Sequence, residues 1–154
     1  MTVPVSTVPA AKTWLIGQLQ SALTQAADGA LFAVQYEPFG TNQPEDRVWF
    51  GDTSRQAVPW TMTGGLIIPQ SMQETYDLTV NISCYRGGDQ TSTAELRAWA
   101  LLAGVEDVVR TDPTFGGLLI RSYPNTAQAA LDWDEQFKGL FCSIPLTISC
   151  LAQL

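Results

Sequence analysis

Histidine is missing from this chain altogether. That removes the usual general base near neutral pH and the commonest metal ligand. It also excludes Ser-His and Cys-His nucleophile pairs. No GxxxxGK[ST] loop is present, and no GxGxxG follows a strand pattern. Lysine occurs only at Lys12 and Lys138, and 8 basic residues face 15 acidic ones, for a net charge of −7. A nucleic-acid grip needs clustered Lys and Arg to neutralise phosphates, so this balance argues against one. No apolar run approaches the ~18 residues of a membrane span. The N-terminal stretch "MTVPVSTVPAAK" lacks the positive start and apolar block of a signal peptide. The expectation is a soluble protein made and kept in a cytoplasm.

Three cysteines, Cys84, Cys142 and Cys150, are an odd number without CxxC spacing. All fall on the apolar phase of strand patterns, which predicts buried thiols. The 154 residues suit one domain, 1–154, with a hydrophobic core of its own.

Helical spacing of Ala11, Leu15, Leu19, Ala22, Leu23 and Ala26 predicts a helix over 7–27, with Pro9 in its first turn and Asp28-Gly29 at its end. Strands are expected at 31–36 and 47–50, separated by the turn-rich loop 37–46. Residues 51–73 mix strand pieces with Pro59, Gly64-Gly65 and Pro69, which predicts one or two short strands in a long irregular excursion. Strict alternation over 74–86 predicts a strand with one face buried and one wet. "STAE", Ser92 to Glu95, has the spacing of a capping box and opens a helix that runs to about Arg110. Its apolar stripe is Ala98, Leu101, Leu102, Val105, Val108 and Val109; Leu96, Trp99 and Ala103 add a second.

Pro113 disfavours helical geometry at Asp112, and Gly116-Gly117 permits a tight turn into a strand at 118–123. Pro124-Asn125 is expected to turn the chain into a return strand, 127–133. A last strand covers 140–150, with Pro145 marking an edge or a bulge. The sum is an α+β domain: a mostly antiparallel sheet of about five to seven strands with two main helices packed on it.

Paired carboxylates can do acid/base work or hold a cation. Asp132 and Asp134 point the same way along a strand and can approach a hard cation. The plainer reading places them on a solvent face near a turn, with Glu45-Asp46 in a loop and Glu106-Asp107 on a helix surface. Five tryptophans are many for this length. Trp60, in the irregular segment, is the best interface candidate, and Trp14, Trp49, Trp99 and Trp133 suit a core better. Residue chemistry thus points to an interaction domain without cofactor rather than an enzyme.

Several phrases in order resemble one family: an N-terminal helix, "VQYEPFG…EDRVWFG", a long alternating strand before a helix, and "VEDVVRTDPTFGGLLIRS". Together they resemble the tail terminator (tail completion, minor tail U-like) proteins of phages with long non-contractile tails. The resemblance covers roughly 7–150, and Phe115 stands where leucine is common in the family's acidic "DPTLGG"-like turn. It implies a structural virion protein that assembles as a ring of about six copies. The ring would cap the tail tube, end its polymerisation and offer a surface to head-completion or stopper proteins. DNA would pass through the lumen without specific binding. The implied location is the phage tail or neck, reached from the host cytoplasm during assembly. Candidate contacts, from exposure reasoning, are Phe39 in its loop, Trp60, Ile67 and Pro69 in the irregular segment, Trp99 on the second helix and Phe115 in the turn. Rival readings are another neck or connector protein, a tail tube subunit, a metal-dependent enzyme using Asp132 and Asp134, and a small-ligand domain using the tryptophans.

Overall fold

The structure, a computed structural model, describes residues 5–41, 43–61, 67–136 and 138–154, and the side chains of 58–61, 67–71, 89 and 91 lie outside the description. It is an α+β fold. The elements run α1 (Val8–Ala22), β1 (Phe32–Gln35), β2 (Asp46–Thr61), β3 (Ile67–Gly87), α2 (Thr91–Thr111), β4 (Arg121–Ala127), β5 (Ala130–Asp134) and β6 (Gly139–Gln153). The sheet order is β1-β2-β3-β6-β4, with β5 also on β6. All pairs are antiparallel except β1 with β2, which run parallel.

The alternation of β3 reads directly as a two-sided sheet. Tyr76, Leu78, Val80, Ile82 and Cys84 are buried beneath the helices, beside Cys142, Ile144, Leu146, Ile148 and Cys150 of β6. Each large aliphatic side chain taken fully from water contributes about 1.5–3 kcal/mol. Ala94, Ala98, Leu101, Leu102, Val105 and Val109 of α2 close this core from above, and α1 adds Ala11, Leu15 and Leu19. All three thiols are buried and unbridged.

Charged residues occupy both ends of the buried phase of β3. At one end, Glu74 accepts from the Thr7 amide at 2.6 Å, the Thr7 hydroxyl at 2.5 Å, Ser6 at 2.9 Å and Arg55 at 2.5 Å. Thr7 has no side-chain cap bond of its own. Glu74 therefore places a carboxylate from a distant strand at the positive end of α1. At the other end, Arg86 donates to Asp46 at 2.6 and 3.0 Å and to Asp28 at 2.8 Å. Arg97 of α2 donates to the same Asp46 at 3.1 Å. Asp46 is fully buried, so it belongs to this ionic rivet and not to a solvated loop.

Several elements depart from the expectation drawn from sequence. The first helix stops at Ala22 rather than near 27: Leu23 turns extended and buries beside Gly104 of α2, whose missing side chain leaves the space. Arg97 holds that exit by donating to the Thr24 carbonyl. Residues 51–73 are not an irregular excursion where described; they continue β2 and open β3 as one long hairpin. Pro59 is tolerated because β1 covers β2 only from Asp46 to Trp49, so that among the described residues no strand pairs with the outer side of Pro59. The capping box does not form: a 3-10 turn, Gly88–Gln90, leads into α2, so Ser92 already lies inside the helix. Pro124-Asn125 does not reverse the chain. β4 and β5 both run antiparallel to β6 as one border, with a register shift at Pro124/Thr126 and a break at 128–129. Pro145 sits in the interior strand β6, opposite that break, so no partner awaits the N–H it lacks.

Candidate interaction surfaces

The DPTFGG turn is built from its own side chains. Asp112 accepts from the Thr114 hydroxyl at 2.6 Å and the amides of Thr114 and Gly116 at 3.1 and 3.0 Å. These bonds hold its carboxyl below the usual carboxylate range, the Thr114 hydroxyl contributing most. Phe115, Gly116 and Gly117 then follow at φ 49°, 68° and 92°. This left-handed run costs a side chain at Phe115 but aims its ring inward. Phe115 is fully buried and stacks on Trp14, so it is a core residue and not the contact expected of it. Strand pairing begins only at Arg121, after an Ile120 amide bond to the Leu151 carbonyl.

Phe39 meets Trp49 edge-on at 5.8 Å, on the face of the sheet opposite α1 and α2. Arg47 lies 5.6 Å from the Trp49 ring and 5.8 Å from Phe141, which in turn packs on Tyr85 at 4.8 Å. A guanidinium between two rings gains cation–π attraction. Burial nevertheless lowers its pKa, and among the described residues its Nε has no hydrogen-bond partner. Trp49 is not the core residue expected: its register with Asn81 turns it to the open face. On that same face a groove of about 300 Å³ carries Asp77, Arg121, Tyr123 and Ser149 among its walls.

Trp99 is exposed on the flank of α2. Leu131 and Trp133 of β5 are exposed as well, which corrects the assignment of Trp99 and Trp133 to the core. Their alternation suggested a buried face because the pattern records phase, whereas burial needs a covering element. Trp60, Ile67 and Pro69 fall in β2 and β3, with side chains outside the described residues. Asp132 pairs with Phe141 and Asp134 with Gly139, so the two carboxylates share one side of β5. Among the described residues no group of three or more His, Cys, Asp or Glu side chains is arranged to hold a metal ion. No helix among the described residues is long and apolar enough to cross a membrane.

No known protein-family model matches the chain, and no curated protein matches it either.

Proposed function

We propose that this protein is a structural subunit of a phage tail, a tail terminator that closes into a ring on the end of the tail tube. The observation that carries this reading is the openness of its sheet at both sides. Among the described residues no further strand pairs with β1, where Gln20 of α1 donates to the Val34 carbonyl, or with the outer side of β2 beyond Trp49, and none pairs with the outer side of β4–β5. A subunit with two different unsatisfied sides suits head-to-tail association, which closes as a ring when the rotation permits. The β2–β3 hairpin also outruns β6, whose last register pair is Gln73 with Gln153, and so forms a projecting backbone arm suited to a tube or stopper surface. The net charge of −7 lets DNA pass a lumen without being held.

In this reading capping is done by shape: one ring face matches the tube end, and the other carries no site for a further tube subunit. Light scattering across concentration with negative-stain imaging tests it first. Closed rings of about six copies are the expected result. Purified protein added to growing tail tubes should then shorten them in proportion to its concentration. Open filaments would instead identify a tube subunit, and tubes of unchanged length would remove the terminator reading.

A further inference from the structure

Arg47 stands apart from the other arginines. Arg55, Arg86, Arg97 and Arg110 each pair with a carboxylate, and Arg121 is exposed to solvent. Arg47 is half-buried and forms no ion pair among the described residues. Its Nη2 donates a long bond to the Ser83 hydroxyl at 3.4 Å, and among the described residues its Nε has no acceptor. Burial lowers its pKa, and no carboxylate offsets that. A charge taken from water without a partner is unfavourable, so a carboxylate brought to it from outside is stabilising.

The surroundings set the shape of that partner. Arg47 and Trp49 alternate with the buried Val48 and Phe50, which puts both on the sheet face opposite the helices. Two recesses adjoin Arg47. One, of about 130 Å³, lies against Phe39 and Trp49; the other, of about 240 Å³, lies against Leu31, Tyr85 and Phe141. Arg47 is the one cation lining either recess among the described residues. Carboxylates lie near. Glu45 lines the larger recess but accepts from the Leu31 amide at 2.8 Å. Asp132 stands beyond Phe141 in register, and Glu37 is exposed in the loop before Phe39. None of the three pairs with Arg47. Their charges disfavour a polyanion such as nucleic acid, which needs clustered cations. A single carboxylate that touches Arg47 is opposed far less, because salt screens exposed charges that lie beyond contact.

We infer that the Phe39–Arg47–Phe141 cleft receives an aspartate or glutamate side chain, flanked by apolar residues, from a partner protein. Arginine among tryptophan, tyrosine and phenylalanine has the composition of a binding hot spot. The guanidinium fork accommodates both oxygens of one carboxylate, and the rings on either side pack on the apolar neighbours. The contact needs one copy of this chain and one acidic segment, so it stands independently of the ring reading.

A peptide array probed with the full chain tests it. The central residue is Asp, Glu, Asn, Gln or phosphoserine, and the flanking positions are randomised among apolar residues. Peptides with an acidic centre are expected to bind at least about tenfold more tightly than their amide counterparts. Arg47→Met should lose that preference, and Arg47→Lys should recover only part of it, because an ammonium cannot fork onto a carboxylate. Glu45→Gln should bind the acidic peptides at least as well as wild type. The free Arg47→Met protein should melt no lower than wild type, since the exchange keeps an apolar stem and removes a charge without a partner. That melt separates a binding role from a structural one. Equal binding of acidic and amide centres, a preference that survives Arg47→Met, stronger capture of phosphoserine, or a markedly lower melting temperature of Arg47→Met would each overturn the assignment. None of these outcomes bears on the ring reading, which light scattering decides.

Discussion

Trp14 and Phe115 stack with ring centres 4.7 Å apart and planes inclined by 16°. That single contact ties the first helix to the turn that ends the second. It explains why a non-glycine residue is held at φ 49° in the DPTFGG turn. The stacked ring offsets the backbone cost of the left-handed conformation.

Replacing Phe115 by alanine should destabilise the fold by about 3–5 kcal/mol, because a fully buried aromatic leaves a cavity. Urea unfolding measures it. Gly116→Ala should also destabilise, since a Cβ there would lie 2.9 Å from Trp14 Nε1 at a φ of 68°. If Gly116→Ala were neutral, the stacking geometry would be wrong.

The Arg86 rivet gives a second prediction. Arg86→Met leaves the buried Asp46 with Arg97 as its one remaining ion-pair partner among the described residues, and should cost about 3–5 kcal/mol. Arg86→Lys should recover little, because one ammonium cannot fork between Asp46 and Asp28. Equal stability of Arg86→Lys and wild type in denaturant titrations would show that the fork adds nothing.

Glu74 predicts a pH dependence. Burial pushes its pKa up, but hydrogen bonds from Thr7, Arg55 and Ser6 outweigh it and hold the carboxyl below its usual value. A depressed folded pKa contributes stability that is present above the unfolded value, about 4.3, and lost as pH falls through the folded one. Glu74→Gln should therefore be less stable than wild type at pH 7 and lose less between pH 5 and about pH 3. Parallel loss in both proteins, followed by urea midpoints against pH, would assign acid sensitivity elsewhere.

The three thiols should be silent to a thiol reagent in the native state. Burial raises all three pKa values, that of Cys150 to about 12 with a contribution from Asp77. At pH 8 the reagent should find no thiol until denaturant is added, and then all three should react. A fast-reacting native thiol would contradict the packing of β3 against β6.

Much of this was legible in the sequence. The alternation of β3 and β6 and the 3.6-residue stripe of α2 each fix which side chains share a face, because strand and helix geometry alone set those periods. The Asp-Pro stop after α2 is equally local, since proline restricts the residue before it. The absence of histidine bounded the chemistry before any coordinate was known.

What the sequence left open depends on neighbours. Whether Leu131 and Trp133 are core or surface depends on how far the helices extend over the sheet. Whether Pro145 marks an edge depends on where β4 breaks from β5. Glu74 and Arg86 stand in the buried phase of β3, and only the tertiary fold supplies their partners, drawn from residues 6, 7 and 55 and from residues 28 and 46. Local geometry determined the phase of each element; long-range packing decided what lies against it, and burial is a property of that contact, not of the phase.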